Sequence, residues 1–364
     1  MIDLDGNHGE GGGALVRVAL AISTITHQPF DVRDIRKGRK DSGLKNQHLY
    51  CVKSLQELCN AGAEGAELGS LSLKYFPKKL ISKNLNIDIE TAGSITLLLQ
   101  ALILPAMFVS KPITITIRGG TDTKWSPSFD YLNNVLLPQL QRFAKVEAKL
   151  LKRGYYPKGG GRVEMNINPK IKLNDFDNFN DFHAHLKENI QKYYLNEQHN
   201  LIQIKGISHA SMNLQQAKVA ERQADSALRI LKQKYNIPIS MINEYQDTLS
   251  AGSGITLWAI FSKNKNDIDE NNPIRIGSDS LGEQGKKAEI VGEEAADNLI
   301  KEIESRAPVD RNLADQILPF MALVGGYIKI SEITNHARTN IYTIEQFMGN
   351  IFKVDEKDKI VETN

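Results

Sequence analysis

At 364 residues, 41% of them hydrophobic, the chain is long enough for two domains with full cores. Its charge is nearly balanced, +2 at pH 7, which excludes a broad basic surface and confines any nucleic-acid contact to a local site such as a strand end. No apolar run approaches the roughly 18 residues of a membrane span, and Met1-Ile2-Asp3-Leu4-Asp5 is not a basic leader, so a protein without a membrane partner, cytoplasmic or nuclear in a eukaryote, is expected.

Apolar spacing predicts a strand over 2–4, a helix over 14–26, a strand over 30–32 and a helix over 47–61. Cys51 and Cys59 fall in that second helix, too few for a zinc site and more consistent with buried thiols than with a disulfide. The order begins again with a strand over 86–89, a helix over 94–109, the alternating strand 113–117 and a helix over 129–143. A third, altered copy has a helix over 286–305 with Glu and Lys interleaved, then 314–323, a strand over 327–330 and a helix over 339–348. The expected class is α/β, with three strand-helix-strand-helix units sharing one core. Between the second and third copies Asn, Asp, Lys and His cluster over 172–200 and 263–272, which reads as linkers. They flank a compact pattern of a strand over 201–207, a helix over 215–235 and strands over 239–245 and 254–261. The expected division is a large domain, 1–180 plus 275–364, with a smaller α/β domain, 181–274, inserted in it.

Glycine-rich and polar runs end several of these strands. Gly9-Glu10-Gly11-Gly12-Gly13-Ala14 fits the dinucleotide pattern, with Asp31 or Asp34 downstream, so a nicotinamide-dependent oxidoreductase is a rival reading. Against it, residues 1–5 alternate like a strand with one wet face, whereas a central parallel strand is continuously apolar. A Walker loop is excluded because no Gly-Lys-Ser/Thr follows. What the run can do is bring the backbone N–H groups of Gly11 and Gly12 and a helix N-terminus to a phosphate chain. Glu10 makes chemical sense there as a ligand of Mg²⁺ or Mn²⁺ bridging phosphates, or else as a helix N-terminal carboxylate. Arg17 is within reach of the same phosphates, or is an ordinary exposed arginine. Arg36 and Arg39 flank Gly38 and can fork a phosphomonoester, or can sit in a solvated loop. Gln100 stands alone in an apolar helix, either as a structural amide or as a ligand contact. The run Asn335-His336-Ala337-Arg338-Thr339-Asn340, opening a helix, offers an imidazole able to attack phosphorus, with Asp315 about twenty residues earlier able to orient it or bind a nucleotide. His183 and His185 alternate like strand positions, and the other histidines, His48 among them, carry no comparable constellation; only His8, beside Glu10, stands near the expected phosphates.

Taken together, His8 to Gly13, Arg36-Lys37-Gly38-Arg39, Gly65 to Ser70, Thr91-Ala92-Gly93-Ser94, Gly119-Gly120-Thr121-Asp122, Gly154 to Gly161 and Leu313-Ala314-Asp315-Gln316 stand in an order and spacing that resembles the RNA 3′-terminal phosphate cyclases. The resemblance runs from residue 1 to about 352. It implies ATP as co-substrate and an RNA 3′-phosphate end as partner, with His336 attacking the α-phosphorus to form a covalent histidine–AMP. AMP would then pass to the RNA 3′-phosphate, and the adjacent 2′-OH, which DNA lacks, would close the 2′,3′-cyclic phosphate. It further implies that Glu10 holds the metal, that Gln100 and Asp315 lie at the nucleotide, and that Pro127 packs on the adenine, where a turn proline is the plain alternative. Arg36, Arg39 and Gln47 would contact the RNA phosphate. Asn312 departs from members with an aromatic at that position, which weakens the expectation of base stacking. A non-catalytic branch of ribosome-assembly factors shares the fold but lacks the nucleophilic histidine, which is present here. The enolpyruvyl transferases share the repeated unit, but their basic site runs are not seen. Oligomeric state, a homodimer included, is left open by the sequence.

Overall fold

The computed structural model describes residues 1–9, 12–264, 269–270 and 272–363. Three four-stranded sheets repeat one topology. In the first, Ile2–Asp5 pairs in parallel with Phe30–Arg33, which pairs antiparallel with Leu73–Phe76 and that in turn with Gly62–Glu64. The second has Leu85–Asp88, Ile113–Gly119, Gly161–Pro169 and Ala144–Lys152 in the same order and senses. The third has Tyr193–Leu195, Gly326–Lys329, Ile360–Thr363 and Phe352–Asp355. Each unit is therefore strand-helix-strand-helix followed by a hairpin. The sequence reading has the first four elements of the first two units and the last three of these in the third, and lacks the hairpins, whose strands are short or polar on one face.

Helices from the three units form the centre. Gly13–Thr26 is buried at every position and packs on Ile95–Ala106, Asn46–Cys59 and Asn335–Met348. A helix apolar all round belongs in such a place. Both cysteines are free and buried on Asn46–Cys59. Among the described residues no helix is long and apolar enough to cross a membrane.

Two sequence expectations are corrected. The stretch 172–200 is not a linker: it holds the helix Phe179–Asn189, anchored by Phe182 and Leu186, and the strand Tyr193–Leu195, whose Tyr193 and Leu195 are buried. Asn and Asp dominate its exposed face, which is what masked it. His183 and His185 consequently lie on a helix. The second expected linker, 263–272, falls partly outside the described residues. The other correction concerns the helix Ala288–Glu304, which belongs to the inserted sheet rather than to the third unit. It packs on Val219–Lys234 so closely that a Cβ on Gly292 would stand 2.0 Å from the Gln223 carbonyl oxygen. That sheet has the order Ile239–Gln246, Asn200–Ser211, Ser253–Ser262, Ile274–Leu281. It interrupts the third unit between its first strand and its first helix, Arg311–Val324. On this pairing we propose that the inserted unit spans 200–304 in place of 181–274.

Ser253–Ser262 is buried at every position because helices cover one face of its sheet and the second unit covers the other. The junction is ionic at its heart. The Arg153 guanidinium lies 3.2 Å from Asp122 and 2.8 Å from Asp130 within the second unit, and 3.1 Å from Glu244 of the inserted sheet. His209, also from the inserted sheet, places Nε2 3.3 Å from Asp122, and its Nδ1 is 2.8 Å from the Tyr155 hydroxyl. Burial would push the Asp122 carboxyl up, but His209 and Arg153 together hold it well below the usual carboxylate range. Removing the cation from such a site strands two buried carboxylates. Arg153→Met should lower unfolding free energy by about 3–5 kcal/mol, whereas Arg222→Ala, which breaks an exposed pair with Glu289, should cost under about 1 kcal/mol. Urea denaturation of both variants checks the contrast.

Candidate active site

The N-terminal ends of five helices, Gly13–Thr26, Asn46–Cys59, Ile95–Ala106, Arg311–Val324 and Asn335–Met348, meet at one end of the helical centre. Gly12 is the N-cap of Gly13–Thr26, extended and without a side-chain cap, so that terminus keeps its N–H groups and its positive dipole end for an anion. Arg39 Nη2 lies 3.9 Å from where a Cβ on Gly12 would stand, and His48 Nε2 and Arg17 Nη1 lie 1.9 and 3.0 Å from where one on Gly13 would stand. Glycine at 13 is thus what lets the imidazole pack on the helix entrance.

The donors around this entrance are held by their acceptor atoms elsewhere. Buried Arg17 donates Nε–H to Gln100 Oε1 at 3.2 Å, which leaves the Gln100 amide NH₂ as a donor. Gln47 Oε1 accepts from the Ser94 backbone N–H at 3.3 Å, leaving its NH₂ likewise. His48 Nδ1 accepts from the Lys45 N–H at 3.1 Å, so the neutral ring carries its proton on Nε2, a buried atom without a hydrogen-bond partner. Burial, reinforced by Arg17, Arg36 and Lys45, holds His48 well below the ordinary histidine range. Arg36 adopts a left-handed backbone, φ 55°, and donates to the Asp41 carbonyl at 3.2 Å, while its Nε is buried without a partner.

The carboxylate that faces Arg17 is Asp315, and Asp41 acts on Arg36. Burial pushes Asp315 up to about 7, with Arg17 opposing and Asp310 reinforcing the rise. Asp315 sits one turn into Arg311–Val324, whose N-cap Asp310 accepts from the Asn312 and Leu313 N–H groups, the Tyr131 hydroxyl and the Gly277 N–H. Pro127 is tied to the Gln100 helix, its carbonyl accepting from Thr96 Oγ1 at 2.7 Å, one turn from Gln100.

His336 is exposed in the first turn of Asn335–Met348, which Thr334 caps. Residues three and four further on share its face, and both mark the site. A Cβ on Gly9 would stand 2.5 Å from Thr339 Oγ1, and Asn340 Nδ2 donates to the Asp315 carbonyl at 2.8 Å. His8 stacks on Tyr342 of the same helix at 3.6 Å. The nucleophile candidate is therefore docked between the glycine run and the Asp315 helix.

A family model described as RNA 3′-terminal phosphate cyclase matches residues 8–354. The chain belongs to this family. It is 43% identical over 355 residues to the RNA 3′-terminal phosphate cyclase of Pyrococcus furiosus, covering 97% of this chain and 95% of that one. It is 40% identical to the protein of that name from Methanosarcina mazei, over 100% and 99% of the two chains, and 38% identical to that from Archaeoglobus fulgidus, over 99% of each.

Of the residues singled out in this cyclase-family sequence, Arg17, Gln100 and Asp315 converge, with Gly12, Arg36, Arg39 and Gln47 on one side of them, Pro127 a helical turn from Gln100, and His336 on the facing helix. Glu10 and Gly11 lie outside the described residues. Arg17 is not the exposed arginine of the plain reading, and Gln100 is a ligand to it. His48, to which the sequence reading gives no role, lies at the same entrance. Its signal was faint: a histidine next to Gln47 at the start of a helix, where a small residue at 13 gives no hint of contact until the helices are packed. The described group with metal-type ligand atoms, Asp122, Asp130 and His209, already holds the Arg153 guanidinium as its cation, so no metal role is assigned to it.

Asp315 gives a pH signature. Its raised native value means that both folded and unfolded chains hold it protonated below pH about 4, and that the native state loses stability as pH rises from there through about 7. Asp315→Asn should gain on the native chain by on the order of 2 kcal/mol between pH 4.5 and 8, less than the full shift implies because the side chain is partly open to solvent. Urea denaturation at the two pH values checks it; a difference that does not change with pH contradicts it.

Proposed function

We propose that this chain uses ATP to convert an RNA 3′-terminal phosphate into a 2′,3′-cyclic phosphate. One observation carries the reading: the Arg17, Arg36, Arg39, Gln47, His48 and Gln100 donors face a bare helix N-terminus beside the His336 helix. Arg17 and His48 are buried in this set, and His48 Nε2 and Arg36 Nε lack a partner there, an arrangement that suits phosphate oxygens.

The His336 imidazole attacks the α-phosphorus of ATP; the N–P bond forms as the bond to the β-phosphate oxygen breaks, and pyrophosphate leaves. Arg17 and Gln100, coupled to each other, hold phosphate oxygens during this step, His48 Nε2–H donates to one of them, and Pro127 offers its ring to the adenine. Asp315, protonated or charged near neutral pH, is suited to a ribose hydroxyl. Glu10 is assigned a divalent ion, Mg²⁺ or Mn²⁺, which when bound offsets charge on the triphosphate. An oxygen of the RNA 3′-phosphate, held by Arg36, Arg39 and Gln47, then attacks the phosphorus of histidine–AMP, freeing the imidazole and giving RNA(3′)pp(5′)A. The terminal 2′-OH attacks the 3′-phosphorus, AMP departs, and the proton leaves with solvent. Proximity of that hydroxyl supplies most of the last rate.

Each step has its own readout. Arg36→Ala or Arg39→Ala should slow transfer to RNA about tenfold to a hundredfold, the worth of one charge-assisted hydrogen bond, with self-adenylylation nearly unchanged. An RNA ending in a 2′-deoxy-3′-phosphate should be adenylylated yet unable to cyclise, so that RNA(3′)pp(5′)A accumulates and is seen by mass. A free 3′-hydroxyl in its place would indicate a phosphatase, and no modification of either RNA would favour a binding factor without catalysis.

A further inference from the structure

The outer face of the second sheet carries a row of charge that the reaction above does not use. Asp88, Arg118, Arg162 and Lys152 stand directly opposite one another on four successive strands. The last pairing follows a register shift between Leu150 and Lys152, which sets Lys152 across from Arg162. Adjacent strands lie about 4.8 Å apart, so three cations fall within about 10 Å. Asp88 neutralises Arg118, at 2.9 Å; Arg162 and Lys152 make no ion pair or hydrogen bond among the described residues. Like charges directly opposite on a sheet are unfavourable. The pair therefore weakens the isolated sheet, and an anion lying across it removes the repulsion.

The row lines an open groove of about 540 Å³ with Asn86, Thr116, Gly160 and Leu249. It lies at the carboxyl ends of the two parallel strands, and the groove leads to the loop joining them to the site. Gly159 packs on that loop, a Cβ there standing 2.7 Å from the Thr91 carbonyl oxygen and 2.9 Å from Ala92 Cα. Two residues on, Gly93 approaches Gln47, its added Cβ 3.6 Å from the Gln47 Cβ, and Ser94 N–H donates to the Gln47 amide. On the loop that brings Gly160 to the groove, Tyr156, 76% exposed, presents an aromatic ring beside the exposed Lys158. Cations that follow a backbone, with an aromatic to stack on, are the equipment of a single-strand nucleic-acid groove.

We propose that the Arg118–Arg162–Lys152 row is the track for the RNA phosphodiesters upstream of the 3′ end, leading the strand to Gln47. This rests on the reading of Gln47 as a contact to the RNA 3′-phosphate. A balanced overall charge agrees with a short track rather than a basic surface.

The test uses the full chain and its double variant Arg162→Gln with Lys152→Gln, binding a ten-nucleotide single-stranded RNA 3′-phosphate and, separately, 3′-AMP, over a series of salt concentrations. The variant should bind the RNA about tenfold more weakly at low salt. Its logarithmic salt slope should be shallower by about 1.4, because two phosphate contacts at about 0.7 each are lost. Affinity for 3′-AMP should not change, and the thermal midpoint should not fall, since repulsion is removed. Lys152→Arg with Arg162→Lys should restore the slope. An unaltered slope in the glutamine variant overturns the track. So does an equal loss for RNA and 3′-AMP, which would place the effect in the terminal pocket. A native chain that binds neither probe overturns instead the underlying reading of the site as an RNA-end pocket.

Discussion

Buried donors without acceptors are the constraint on which this structure turns. His48 Nε2 and Arg36 Nε are buried without a partner, and the half-buried Gln100 and Gln47, whose oxygens accept from Arg17 and from the Ser94 N–H, turn their NH₂ groups to the same helix entrance. A buried donor left unpaired costs about 1–3 kcal/mol. Several at one place make a site that is uncomfortable empty and favourable once an anion of several oxygens arrives. The neutral state of His48 fits the same logic, because a fourth cation beside Arg17, Arg36 and Lys45 would repel them, whereas a neutral N–H only donates.

The repeated unit explains how residues so far apart come to one entrance. In each copy a helix joins two parallel strands, and the first helices of the copies, Gly13–Thr26, Ile95–Ala106 and Arg311–Val324, bring Arg17, Gln100 and Asp315 each within two turns of a helix start. The second helix of the third copy supplies His336. The inserted unit stands off this centre and is fixed to the second copy by Arg153, His209 and their carboxylates. Its Gly277 N–H, bonded to Asp310, gives it one direct grip on the helix that carries Asp315.

Much of this was legible in the sequence, for specific reasons. Long apolar periodicities gave the helices of all three copies, and the glycine runs marked the loops at strand ends, since positive φ and close approach leave their trace in composition. The third copy's first strand was hidden because Tyr193-Tyr194-Leu195 is three residues long inside a polar stretch, and only pairing with Gly326–Lys329 makes it a strand. The helix Ala288–Glu304 was visible as a helix, but its allegiance depends on Gly292 meeting Gln223, a contact that no local pattern encodes. The candidate site residues come from the family resemblance rather than from their spacing. The place of His48 escaped because it depends on Gly13, thirty-five positions earlier, being small.

The account stands most directly on His336 being the atom donor that phosphorus meets in this pocket. Incubation of the full chain with ATP labelled at the α-phosphate, followed by proteolysis and mass spectrometry, measures it. We predict one AMP on the peptide containing His336, stable to alkali and lost in acid as a phosphoramidate is, and no adduct on a folded His336→Ala chain. An acid-stable adduct, or labelling of that variant at the native level, would contradict the account.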